Sequence, residues 1–122
     1  MRSAALTVIC SILGLAISAL PAAAQGMGLE GLHDKRQEGG RICMADHFHD
    51  SSGNGKTRKA AEMDAARAWS EFTGWEYGDA WGSFSNAASK SMQCGDAGGS
   101  WNCQATARPC RSGSMGKPRS RK

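Results

Sequence analysis

Residues 88–108, ASKSMQCGDAGGSWNCQATAR, set Cys94 and Cys103 at equal distances on either side of Gly98-Gly99. A Gly-Gly pair between two strand-like runs reads as a two-residue hairpin turn, because both central positions of a favoured turn type take positive φ. Opposed residues then have numbers summing to 197, and Cys94 faces Cys103. That pair is a non-hydrogen-bonded one, in which opposed Cα atoms come closest and a cross-strand disulfide closes most readily. The same register gathers Ala88, Lys90, Met92 and Cys94 on one face with Trp101, Cys103, Ala105 and Ala107. It sends Ser89, Ser91, Gln93, Asn102, Gln104, Thr106 and Arg108 to the other. One face is apolar but for Lys90, whose stem can snorkel, and a one-residue slip would mix the two.

Upstream, Arg41 to His49 alternates, with Ile42, Met44 and Phe48 on one side and Cys43, Ala45, His47 and His49 on the other, which predicts a strand. Asp50 to Lys56 reads as a Ser/Gly/Asn turn. Thr57 then serves as N-cap of a helix running to about Thr73, with Gly74 as its stop. On that helix Ala61, Ala65, Ala68, Trp69 and Phe72 fall within an arc of about 100°. Cys110 follows the polar face of the hairpin, as Cys43 does if Ile42 and Met44 point inward. A Cys43–Cys110 bridge on the outer surface then follows if the first strand neighbours the last. The other two pairings of four cysteines stay open. The expected fold is α+β: a small βαββ module with one amphipathic helix packed on a short antiparallel sheet and two disulfides, spanning 42–110.

Composition explains why the bridges matter. Met1 to Ala24 has the form of an export signal: Arg2, an apolar stretch from Ala4 to Leu20, and Pro21-Ala22-Ala23-Ala24 before Gln25. Cleavage near Ala24/Gln25 would remove Cys10, place the protein in the periplasm or outside the cell, and leave no membrane span. The remaining 98 residues contain six Leu, Ile or Phe residues and no Val, against eight aromatics between Phe48 and Trp101. So aliphatic-poor a chain falls in the compositional range of disorder unless rings and cross-links compensate. A multidomain enzyme, a channel and a coiled coil are excluded. Zinc thiolate coordination is disfavoured because the cysteine spacings of 51, 9 and 7 lack close pairs.

Charge is uneven. Residues 25–107 carry eight Lys or Arg against eleven Asp or Glu, while Arg108, Arg111, Lys117, Arg119, Arg121 and Lys122 face no acid. Residues 111–122 therefore read as a disordered basic tail, and those six cations as a contact for anionic envelope components or acidic proteins. Nucleic acid is not expected as a specific target. Residues 25–41, interrupted by five glycines, read as a flexible lead-in.

Three local constellations carry candidate chemistry. His47 and His49 project to one side of a strand and, with Asp50 or His33, form a candidate copper or zinc site. Gly53-Asn54-Gly55-Lys56-Thr57 resembles the end of a phosphate-binding P-loop, but Asp50 stands where the first glycine belongs, and the chain is too small for a nucleotide hydrolase. What survives is a candidate small-anion site of Gly53, Gly55, Lys56, Thr57, Arg58 and Lys59 at a helix N-terminus. Trp75, Tyr77, Trp81 and Phe84, spaced by glycines, form either core rings or a stacking surface. No catalytic set stands out: there is no G-x-S-x-G elbow, and oxidised cysteines are poor nucleophiles. Arg58 with Glu62, and Arg67 with Glu71, have the spacing of surface pairs. The leading expectation is an exported, non-enzymatic binding or accessory protein without a cofactor. A copper or zinc binder centred on His47 and His49 and a small secreted hydrolase are the alternatives.

Overall fold

A computed structural model describes residues 27–96 and 98–116. The segment expected to be an export signal, and Lys117, Arg119, Arg121 and Lys122 of the expected tail, lie outside the described residues. The chain forms β1 (Lys35–Glu38), β2 (Arg41–Met44), β3 (His49–Gly55), α1 (Arg58–Tyr77), β4 (Ala88–Asp96), β5 (Trp101–Arg108) and β6 (Cys110–Ser112). Short 3-10 turns occupy Leu29–Leu32, Asp79–Trp81 and Phe84–Asn86. Two antiparallel sheets result, ordered β1-β2-β6 and β3-β5-β4. The α+β class, the single helix on an antiparallel sheet and both disulfides, Cys43–Cys110 and Cys94–Cys103, are present.

The β4–β5 hairpin has the register that its Gly-Gly turn dictates from Ser91↔Thr106 to Asp96↔Trp101. Gly98 and Gly99 both take positive φ, 68° and 96°. The register shifts before Ala88↔Arg108, where Ser89 adopts φ 52°. This β-bulge turns Lys90 outward, where its ammonium donates to the Ser85 carbonyl at 2.9 Å.

The expected strand Arg41–His49 is instead two strands in different sheets. Residues 45–48 carry the chain from β2 across to β3. The expected turn over Asp50–Lys56 is β3 itself, paired with β5 from His49↔Ala107 to Gly55↔Trp101. Its glycines serve packing rather than turning. A Cβ at Gly53 would lie 2.6 Å from the Asp64 carbonyl carbon, and one at Gly55 the same distance from the Ala61 amide nitrogen. The helix rests directly on the strand, with Ala61 and Ala65 buried against Cys103 and Ala105. The Ser51 hydroxyl donates to the Ala65 carbonyl at 2.8 Å across the same contact.

Thr57 caps α1, its hydroxyl accepting from the Ala60 amide at 3.1 Å. Gly74 does not end the helix; it lies buried within it, and the stop is Gly78 at φ 100°. The extra turn carries Tyr77 to Ile42, Met44 and Trp81 in a second apolar cluster that joins the helix end to the β1-β2-β6 sheet. Phe72, expected on the buried face, is 45 % exposed, and Thr73 and Tyr77 take the inward positions.

The lead-in over 25–41 is not free: β1 pairs with β2 from Lys35↔Met44 to Glu38↔Arg41. The tail likewise begins later than residue 111, because Arg111 and Ser112 belong to β6. Cys43 and Cys110 pair as expected, but they are fully buried against Ala88 rather than on an outer surface, since the two sheets meet there.

Arg108 is also inside. The bulge and the neighbouring sheet enclose its guanidinium, which donates to the Met44 carbonyl at 2.6 Å and contacts the Glu38 carboxylate at 2.8 Å. It spans the two sheets as a polar clamp and is not available to a polyanion. Arg36 and then Arg108 hold the Glu38 carboxyl below its usual range, against the opposing effect of burial. The stability this supplies is complete above the unfolded-state glutamate value of about 4.3 and lost as pH falls through the lower folded value. Glu38→Gln is therefore expected to flatten the acid limb of a urea-midpoint profile below about pH 5. Arg108→Met is expected to cost about 3 kcal/mol near neutrality, since it leaves the Met44 carbonyl and Glu38 without their partner. An unchanged acid limb in the first variant would refute the clamp.

Candidate functional site

His33-Asp34 directly precedes β1, and Asp46-His47 follows β2 by one residue. The antiparallel ladder of the β1–β2 hairpin therefore brings the two dipeptides together at its open end, and the Ala45 amide donates to the Asp34 carbonyl there at 2.8 Å. The His33 and His47 rings stack with centroids 4.0 Å apart. Leu32, His33, Asp34, Asp46 and His47 line an open cavity of about 300 Å³.

Behind this mouth, His47 meets His49 edge-on at 5.1 Å, and His49 stacks on Tyr77 at 4.9 Å. The His49 ring is 3 % exposed. Its Nδ1 lies 2.8 Å from Thr73 Oγ1, and its Nε2 lies 3.2 Å from the Tyr77 hydroxyl and 3.1 Å from Glu76 Oε2. An ionised carboxylate can only accept, so this arrangement puts the proton on Nε2 and has the Thr73 hydroxyl donate to Nδ1. Burial first, then the neighbouring His47 and His33, lower the His49 pKa to about 4, with Asp50 opposing. His47 is lowered by burial and then by His33. Burial and then Glu76 raise the Tyr77 hydroxyl to about 12, so it keeps its proton. A hydroxyl, an imidazole and a carboxylate thus stand in series at Thr73, His49 and Glu76, as in a nucleophile relay. Thr73 is fully buried, however, and no substrate reaches its oxygen as the side chains stand.

Of the expected metal set, His33, His47 and His49 are brought into ring contact, but Asp50 is not among them and their donors do not converge. His49 faces inward with both ring nitrogens engaged, and Asp50 accepts from the Thr106 hydroxyl across the β3–β5 pair. Among the described residues, no three His, Cys, Asp or Glu side chains converge as placed into ligating geometry. The expected anion loop is not a loop, because Gly53 and Gly55 lie in the β3 ladder opposite Cys103 and Trp101. Thr57 is spent on its cap, Arg58 pairs with Glu62 at 2.9 Å, and only Lys56 and Lys59 stand exposed and unpaired among the described contacts. Of the six tail cations, Arg108 is enclosed, and the Arg111 guanidinium lies 5.6 Å from the Trp81 ring centroid.

Asp34, Thr73 and Glu76 are not among the residues that the sequence offers as a site, and Tyr77 enters there only as one of the glycine-spaced rings. The pairing of His33-Asp34 with Asp46-His47 was the signal that could have found the cavity. No protein-family model, no curated protein and no solved structure matches the chain.

Proposed function

We propose that this is an exported, non-enzymatic binding protein that contacts an acidic polysaccharide of the cell envelope through an aromatic surface on α1 and the basic residues at its C-terminus. The observation that carries the reading is the exposure of Trp75, 62 %, beside Phe72, 45 %, with ring centroids 6.2 Å apart. In a chain so short of apolar bulk, leaving two large rings outside forgoes core burial that the fold could use. Their i, i+3 spacing presents them together on the outer helix face. Exposed rings of this kind stack on sugar faces and dominate binding energies where they occur. Lys117, Arg119, Arg121 and Lys122 supply the salt-dependent attraction. Among the described residues no helix is long and apolar enough to cross a membrane.

Co-sedimentation of the exported protein with an insoluble acidic polysaccharide tests the proposal. Phe72→Ala/Trp75→Ala is expected to weaken retention by roughly tenfold or more at fixed salt. Truncation after Gly116 is expected to reduce the salt dependence while leaving residual retention. Retention that survives the double substitution and vanishes with the truncation would reduce the effect to ion exchange and overturn the aromatic contact.

A further inference from the structure

The strands at the margins of the two sheets differ in what covers them. On β3 the Asn54 amide is already taken by the Asp64 carboxylate of α1 at 3.0 Å. β1 and β6 run for only four and three residues. β4 runs for nine, Ala88–Asp96, and among the described residues it pairs with β5 alone. The Cα atoms of Cys94 and Cys103 lie 4.0 Å apart, the close spacing of a non-hydrogen-bonded pair, so the Cys94 amide and carbonyl point away from β5. By alternation those of Met92 and Asp96 do the same, and none of the three has a backbone partner on that side among the described contacts. Lys90, Ser91, Gln93, Gly95 and Asp96 are all exposed. An open edge of this length is a template for another strand. A bulge and an edge lysine are the usual protection, and here both sit at one end, at Ser89 and Lys90.

We propose that β4 is a self-association edge, on which a second copy of this chain adds its own β4 antiparallel about a two-fold axis at Gln93. Opposed residues then have numbers summing to 186: Lys90 faces Asp96, Ser91 faces Gly95, Met92 faces Cys94, and Gln93 faces itself. Strand parity agrees, because Met92 and Cys94, whose amides and carbonyls point outward, become the hydrogen-bonded pair. Charge selects the register. A sum of 184 sets Lys90 against Cys94, and a sum of 188 sets it against Gly98 in the turn. The sum of 186 joins Lys90 to Asp96 twice, once at each end of the pairing. Neither side chain belongs to an ion pair among the described contacts, and the Lys90 ammonium keeps protons to spare beyond the one it gives Ser85. The lysine that repels an arbitrary strand therefore admits this one. At the axis the two Gln93 side chains meet, and each amide can donate to the other. The product is a continuous sheet ordered β3-β5-β4-β4-β5-β3. This contact is independent of the aromatic surface on α1 and of any polysaccharide.

Sedimentation equilibrium of the exported, oxidised protein tests the edge. A single strand pairing buries less than a standard interface, so reversible dimerisation is expected with a dissociation constant on the order of 10 µM. Lys90→Asp and Asp96→Lys each place like charges opposite one another at both ends, and either is expected to weaken dimerisation roughly tenfold or more. An equimolar mixture of the two variants is expected to recover it as a heterodimer, because every charge then meets its opposite. Lys90→Asp/Asp96→Lys is expected to recover it within one chain. Recovery on mixing separates the charge register from misfolding. A parent that stays monomeric at about 1 mM overturns the proposal, including one whose edge proves to take a peptide of another protein. A dimer indifferent to both reversals, or one that mixing fails to recover, overturns it as well.

Discussion

Replacing Cys43 and Cys110 together by serine is expected to leave the protein largely unfolded at physiological temperature. The bridge closes the larger loop, with a sequence separation of 67 against 9 for Cys94–Cys103. In the chain-entropy treatment those loops are worth up to ~4.4 and ~2.7 kcal/mol. A small domain holds only about 5–10 kcal/mol in all. Burial adds to the contrast, because Cys43 and Cys110 are both fully enclosed with Ala88, so that two serine hydroxyls would take the place of sulfur in a dry contact, whereas of the hairpin pair only Cys103 is fully enclosed. The bridge also ties β6 to β2 at the end of a pairing only three residues long. Cys94→Ser/Cys103→Ser opens a hairpin that nine-residue β4 and eight-residue β5 still define. That variant is expected to remain folded with a lowered midpoint. Urea unfolding followed by tryptophan fluorescence distinguishes the two. A larger loss in the hairpin variant would show that the sheet junction does not depend on its bridge.

What could be read in the sequence was local geometry; what could not was contact between distant segments. The Gly98-Gly99 turn and its flanking cysteines determine a register by arithmetic, and β4–β5 follows it to the bulge. The same arithmetic at Gly39-Gly40 yields pairs summing to 79, which is the observed register of β1 and β2. No hydrophobic pattern marks that hairpin in the sequence, because Lys35–Glu38 is wholly polar and sits among glycines. That strand is held by its neighbour and by the Glu38–Arg108 clamp, neither of which leaves an apolar alternation. β3 was hidden for a related reason. Its inward positions include Gly53, so the hydrophobic pattern of a half-buried strand is missing, and the complementary signal lies in Ala61 and Ala65 of the helix. Once the chain breaks at 45–48, the apparent alternation through Arg41–His49 no longer places His47 and His49 on one face. The candidate cavity then depends on a hairpin rather than on a single strand. Strand parity points Arg108 outward, whereas its burial comes from a second sheet that parity cannot reveal.

Trp69→Ala is expected to destabilise the protein by about 3–5 kcal/mol, the range for removing a large buried ring. Trp69 is fully buried and packs on Ala87 and Ala107, with Phe84 edge-on at 5.4 Å. Its neighbours there are mostly alanines, which have no spare side chain to swing into the space, so the cavity would stay open. The indole also donates from Nε1 to the His49 carbonyl at 2.9 Å, fastening α1 to the first residue of β3. Trp69→Phe separates the two contributions, because it keeps most of the ring and loses the donor. It is expected to cost about 1–3 kcal/mol for the orphaned carbonyl and partial loss of volume. Chemical denaturation followed by far-ultraviolet circular dichroism measures both variants without relying on the removed fluorophore. Equal losses in the two would assign the effect to the hydrogen bond rather than to the ring.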